Sequence, residues 1–194
     1  MKVEDFVDPY LGQTWQSLGA RVLSSGKRIS VTLGYPAQGM QAKLTEQLSA
    51  FLGVDDIELD ISFSSPPGRG FGQVKNVVLV SSGKGGVGKS TTAVNLALAL
   101  DAEGAKVGLL DADIYGPSQG MMLGVAEGRR PDIKDGKFFD PIRAHGIKAM
   151  SMSFMITDKT PMVWRGPMAS GALQQILGQT LWGDVDYLIV DMPP

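Results

Sequence analysis

Apolar positions change period several times along this chain. Ile29, Val31 and Leu33 alternate with polar residues, the period of a half-buried strand. Leu44, Leu48, Phe51 and Leu52 then recur at helical spacing and predict a helix over 43–52, ended by Gly53. Ile57, Leu59, Ile61 and Phe63 return to alternation and predict another strand. Beyond residue 74 the texture differs. Val77–Val80 is an unbroken apolar run of the kind found in fully buried parallel strands. A helix is predicted from Lys89 to Glu103, closed by Gly104. Lys106–Leu110 reads as a second buried strand, and Ile147–Met152 as a third. A helix over 169–182 runs through Leu173, Ile176, Leu177 and Leu181, and Tyr187–Val190 is a strand ending at Asp191. Strands alternating with helices predict an α/β fold, a parallel sheet with helices on both faces.

The stretch over 64–73, Ser-Ser-Pro-Pro-Gly-Arg-Gly-Phe-Gly-Gln, has the composition of a linker. It separates a small α+β domain over 1–63 from the α/β domain over 74–194.

Composition narrows the chemistry. The chain is 43% hydrophobic with net charge −2, and its basic clusters are short, Lys27-Arg28 and Arg129-Arg130. Phosphate-backbone affinity needs concentrated positive charge, so nucleic acid is not the expected partner. There are no cysteines, hence no thiolate for a disulfide, zinc or an iron–sulfur cluster within these residues. The acidic start, Met1-Lys2-Val3-Glu4-Asp5, lacks a signal-peptide core, and no apolar run is long enough to span a membrane. A cytoplasmic location is expected.

Gly83-Lys84-Gly85-Gly86-Val87-Gly88-Lys89-Ser90 fits G-x-x-x-x-G-K-[ST], with a strand predicted before it and a helix after it. Glycines let backbone N–H groups turn inward around phosphates, and the following helix start adds positive potential. Lys89 is placed to reach the β- and γ-phosphates, and Ser90 to ligate Mg²⁺. ATP and Mg²⁺ are the implied ligands. Asp111-Ala112-Asp113 follows the second strand, at the strand ends where α/β proteins bind ligands. Tyr187-Leu188-Ile189-Val190-Asp191 has the form of a Walker B strand, whose aspartate holds Mg²⁺.

The segment Lys84–Ser90 with Thr91 and Thr92 resembles the deviant phosphate loop of the MinD, ParA, ArsA and nitrogenase iron-protein superfamily. That resemblance implies that Lys84 reaches a partner subunit's nucleotide across a dimer. It also implies that Asp113 orients water or approaches Mg²⁺, with Asp111 as its companion. Adding Leu110–Ser118, Val163–Met168 and Asp186–Pro194, the chain resembles the Mrp (ApbC) family of iron–sulfur cluster carrier ATPases over about 74–194. Asp8-Pro9 and Gly34-Tyr35-Pro36 match that family's small leading domain more loosely. The resemblance implies a homodimeric ATPase that binds a [4Fe-4S] cluster and passes it to apo iron–sulfur proteins. Family members continue past Asp-Met-Pro-Pro to a Cys-x-x-Cys pair, so this sequence reads as a truncated member, an incomplete P-loop ATPase domain. The expected nucleotide-binding set is Gly83, Lys84, Gly85, Gly86, Val87, Gly88, Lys89, Ser90 and Thr91, with Asp113, Asp191 and Ser90 toward Mg²⁺. Later family strands flank the phosphate-loop strand, so without them Val77–Val80 is expected to be an uncovered edge. The rival readings are a MinD- or ParA-like positioning switch and an inactive truncated fragment.

Asp55, Asp56, Glu58 and Asp60 resemble a metal cluster, but Glu58 and Asp60 fill the outward face of an alternating strand. Met150, Met152 and Met155 read as core packing rather than a soft-metal site. His145, the single histidine, reads as a loop residue. Trp164–Met168 reads equally as a nucleotide or dimer contact through Arg165 and as a Pro-initiated helix start.

Overall fold

The structure, a computed structural model, describes residues 2–64, 74–155 and 166–194, with 166–169 described by backbone alone. Most of the expected linker, and Trp164 and Arg165, lie outside the described residues. The chain divides into two compact units, Met1–Pro66 with Ala102–Ala105, and Pro67–Asp101 with Lys106–Pro194.

The first unit is a three-stranded sheet with one helix. Its elements are β1 (Arg21–Ser25), β2 (Arg28–Leu33), α1 (Gln41–Leu52) and β3 (Glu58–Phe63). β2 lies in the middle, antiparallel to β1 and parallel to β3. Ile29, Val31 and Leu33 face the same core as Leu59 and Ile61, where Leu44 and Leu48 of α1, Phe6 and Trp15 complete the packing. Gly53 ends α1 in the left-handed region, and its N–H bonds the Ser49 carbonyl, the stop that glycine makes cheap. β1 was not predicted, and its mostly exposed residues explain why: it joins the sheet by backbone pairing with β2 more than by an apolar stripe. Glu58 and Asp60 are exposed on β3, and Glu58 pairs with Arg28 at 3.1 Å. Among the described residues no three His, Cys, Asp or Glu side chains form a metal-sized group.

Asp8 is a buried carboxylate in this unit. It accepts the Tyr10 and Leu11 N–H groups, both at 2.9 Å, the Trp15 indole N–H at 3.3 Å, and the Tyr35 hydroxyl. Burial works to raise its pKa, but the four donors outweigh burial and hold the carboxyl below its ordinary value. A depressed carboxylate contributes stability that is present above the unfolded pKa, about 3.9, and is lost as pH falls through the folded value. The urea midpoint should therefore fall on acidification below about pH 4, and Asp8→Asn should flatten that fall. A parallel acid profile in the variant would assign the loss to other carboxylates.

The second unit holds β4 (Asn76–Val80), α2 (Lys89–Ala102), β5 (Val107–Asp111), α3 (Gln119–Met122), β6 (Asp132–Lys134), β7 (Phe138–Asp140), β8 (Ile142–Ala144), β9 (Ile147–Ser151), α4 (Gly166–Gln179) and β10 (Tyr187–Asp191). The sheet order is β4-β10-β5-β9-β8. The first four strands are parallel, but β8 runs antiparallel to β9, which departs from the all-parallel expectation. β8 joins β9 through a tight turn carrying His145 at φ 49° and Gly146 at φ 88°, and a turn of that length returns the chain antiparallel. The His145 ring nitrogen lies 3.1 Å from the Leu123 carbonyl.

One sheet face buries Leu110, Met150, Leu188 and Val190 against Ile176 and Trp182. Met152 is buried in the same cluster and Met155 packs against it, the core role expected of these methionines. Leu109 and Ile189 are fully buried on the opposite face, as strand alternation requires. Gly108 marks a close approach: a Cβ there would meet the Trp182 ring at 2.9 Å and Leu188 at 3.0 Å. Gly108→Ala should therefore cost about 1–3 kcal/mol by overpacking, read as a lowered urea midpoint.

β4 corrects one expectation. Among the described residues it pairs with β10 alone, and Val77 and Leu79 are 42% and 62% exposed. The apolar run is therefore not a fully buried strand; it is an edge strand with Val77 and Leu79 exposed, and its edge position is the one expected above. Among the described residues no helix is long and apolar enough to cross a membrane.

Candidate functional site

The parallel register brings three strand ends level. Val80, Asp191 and Asp111 are cross-strand neighbours at the C-terminal ends of β4, β10 and β5. The chain leaving β4 forms the glycine loop and enters α2 at Lys89. Gly86 and Gly88 take φ of 73° and 88°, a conformation that L side chains rarely adopt. Built Cβ atoms at Gly83, Gly85, Gly86 and Gly88 would meet nothing within 4 Å, so the glycines serve backbone conformation and open space rather than packing. The loop borders a cavity of about 360 Å³ lined by Lys84, Gly86, Lys89, Ser90, Thr91 and Asp113 among others.

Lys89 is the centre of charge. Its ammonium donates to Asp191 Oδ1 at 2.5 Å, lies 3.3 Å from Ser90 Oγ, and sits 3.9 Å from Asp113 Oδ2. The Lys89 side chain is 7% exposed and that of Asp191 0%. One buried cation thus gathers both predicted carboxylates and the predicted metal-binding hydroxyl. Lys84 is exposed at the cavity rim, and its carbonyl accepts the Ser82 hydroxyl at 2.9 Å. Val87 is also exposed, on the outside of the loop.

The two aspartates after β5 have different duties. Asp113 lines the cavity and accepts the Gly116 N–H at 3.3 Å. Asp111 is fully buried and turned into the protein. Its Oδ2 accepts the N–H groups of Ser118 and Gln119 at 2.9 and 3.0 Å and the Ser151 hydroxyl at 3.1 Å, and its Oδ1 accepts the Asp113 N–H at 3.1 Å. Burial pushes its pKa up to about 6, assisted by the neighbouring Asp191 charge, while these donors pull the other way. Asp111 therefore anchors the loop that carries Asp113.

Gln119 is the site residue that the sequence did not single out. Its side-chain amide donates to Asp191 Oδ2 at 2.8 Å and to the Ser90 carbonyl at 3.0 Å. Nothing local marks it, because glutamine at a helix start is ordinary; only the sheet register places it against Asp191.

The residues fit a nucleotide's phosphates and a divalent cation. A glycine cradle, a lysine ammonium, a hydroxyl and a carboxylate are the donor set that such ligands require. They do not fit an iron–sulfur cluster, which needs thiolates that these residues lack. A buried strand system, a glycine loop leading into a helix, and carboxylates on the adjacent strand ends define a P-loop NTPase. Residues 73–194 match the ParA: NUBPL iron-transfer P-loop NTPase family model, and the chain belongs to that family. It is 61% identical over 148 residues to an iron–sulfur cluster carrier protein of Pseudomonas fragi, covering 73% of this chain and 52% of that protein. The carrier protein of Escherichia coli K12 is 64% identical over 125 residues, covering 64% and 34%. That of Deinococcus radiodurans is 42% identical over 200 residues, covering 96% and 56%. The chain thus spans about half the length, or less, of these curated relatives. Among solved structures, a nucleotide-binding protein from Archaeoglobus fulgidus in complex with ADP is similar at TM-score 0.53 and 36% identity, covering 63% of this chain and 46% of that one.

Proposed function

We propose that this chain is the nucleotide-binding part of a cytoplasmic iron–sulfur cluster carrier that hydrolyses ATP and delivers [4Fe-4S] clusters to apo-proteins. The observation that carries the reading is the convergence of Lys89, Ser90 and Asp113 on one glycine-lined cavity, with Asp191 buried directly behind Lys89. The relatives named as carriers supply the cargo.

In this reading the loop N–H groups from Gly83 to Ser90 and the Lys89 ammonium bind the β- and γ-phosphates, with Thr91 at the start of the helix. Ser90 and Asp191, with Asp113 beside them, would hold Mg²⁺. The cation, when bound, neutralises charge on the phosphate oxygens. Asp113 orients the attacking water, held in place by the Asp111 scaffold. Lys84 makes no ion pair among the described residues and stands at the cavity rim, where it is free to serve a second copy's nucleotide in a homodimer. The cluster is cargo, held by thiolates that these residues do not provide.

Lys84 gives the discriminating experiment. Lys84→Ala should leave ATP affinity within about threefold, because the loop backbone and Lys89 remain. Hydrolysis should fall by about 100-fold or more, the scale of losing a charge that acts on the transition state. Unchanged turnover in Lys84→Ala would sink the role in trans.

A further inference from the structure

Gln119 is 1% exposed, and all of its N–H donors are paired. Its amide nitrogen has two hydrogens, and both are taken, by Asp191 Oδ2 and by the Ser90 carbonyl. Its main-chain N–H bonds Asp111 Oδ2. Its side-chain oxygen is buried with no partner among the described residues. Flipping the amide would set that oxygen against a carboxylate and a carbonyl, so the partners dictate the orientation. A buried amide whose acceptor goes unpaired costs stability, and its two donor contacts are what the fold gains from it.

We propose that Gln119 is a positioning residue for the magnesium-nucleotide site, clamping the end of β10 to the first turn of α2. Asp191 has two oxygens. Gln119 holds Oδ2, which leaves Oδ1 as the oxygen facing Lys89. By the same amide it fixes the backbone of Ser90, whose hydroxyl is the other metal-holding group. Asp191 and Ser90 are far apart in sequence, and this one side chain bonds both. Its backbone bond to Asp111 ties the clamp to the loop carrying Asp113, so the end of β10, the start of α2 and the end of β5 share one residue. The inference rests on the nucleotide reading of the site.

The test separates magnesium from nucleotide. ADP is titrated calorimetrically into the purified protein and into Gln119→Met and Gln119→Glu, each with Mg²⁺ and again with EDTA. Met is close in size and lacks the donors; Glu keeps the shape and turns an acceptor toward Asp191, and it serves if the Met variant does not fold. Loss of a group that orients metal-holding residues should shrink the Mg²⁺-dependent gain in ADP affinity by about 10-fold. Affinity in EDTA should stay within about threefold of the unsubstituted protein. An unchanged Mg²⁺-dependent gain would overturn the proposal, as would an equal loss with and without Mg²⁺, which is the mark of general packing damage. Failure of the unsubstituted protein to bind ADP under either condition would overturn the nucleotide reading itself.

Discussion

Lys89→Ala is expected to lower both nucleotide affinity and stability, by separable routes. The Lys89 ammonium has three donors. Asp191 takes one at 2.5 Å, the Ser90 hydroxyl accepts a longer one at 3.3 Å that phosphate can replace, and the cavity opens onto the ammonium. Losing two charge-assisted contacts to phosphate, at about 1.5 kcal/mol each, weakens ATP and ADP binding on the order of 100-fold. The second effect is electrostatic. Asp191 is fully buried, with Lys89 as the one cation in ion-pair contact with it among the described residues. Removing one partner of a buried pair leaves an uncompensated charge and costs about 3–5 kcal/mol. The Lys89→Ala, Asp191→Asn double variant resolves the two. It should recover most of the stability in urea unfolding, because the orphaned charge is gone. It should recover none of the affinity. If the double variant is as unstable as the single one, the pair is not what holds these strand ends. If Lys89→Ala binds ADP normally, the cavity is not the phosphate site.

The phosphate loop was legible because its chemistry is local. Eight consecutive residues supply the glycines, the lysine and the hydroxyl, and the flanking apolar periods supply the strand and helix. Asp191 was legible for a related reason: it ends an apolar run, as Asp111 does on the neighbouring strand, and parallel strands end at a common edge; Asp113, two residues further on, was marked out by the family resemblance. What was illegible depends on register. Asp111 and Asp113 look equivalent in sequence, yet Asp111 is the last residue of β5 and is held inward by Ser118, Gln119 and Ser151, while Asp113 lies past the strand end, on the cavity. Gln119 has no motif of its own, and its value comes from Asp191, far along the chain. β6, β7 and β8 have three residues each, too few to show a period, and their pairing is set by the turns between them. Val77–Val80 is a mixed case: its composition is that of a central strand, and the family resemblance, not the local pattern, led to the expectation of an edge that the strand order bears out.

That edge carries the other large expected effect, self-association of this 194-residue chain. Among the described residues β4 has a hydrogen-bonded neighbour on the β10 side alone, and its other side offers backbone groups to another strand. Edge strands are normally blunted by charge, proline or a bulge. β4 reads Asn-Val-Val-Leu-Val, with none of these, and Val77 and Leu79 are exposed on one face. Two copies pairing here would cover four such side chains, each giving about 1–2 kcal/mol after allowing for the part already buried. The gross gain of about 4–8 kcal/mol, with the backbone pairing, is comparable to the rigid-body cost of association, so the contact should be weak and concentration-dependent. Sedimentation velocity over a concentration series should show growth of larger species with the unsubstituted chain. Val77→Lys with Leu79→Lys should return it to monomer, because paired lysines on a strand edge repel a second copy and cost little where they are solvated. Nucleotide affinity should be unaffected, since neither residue lines the cavity. A monodisperse monomer at every concentration, melting cooperatively, would show that β4 is stable as a free edge. Association that persists in the lysine variant would move the interface elsewhere, with the exposed Val87 side of the phosphate loop the next surface to test.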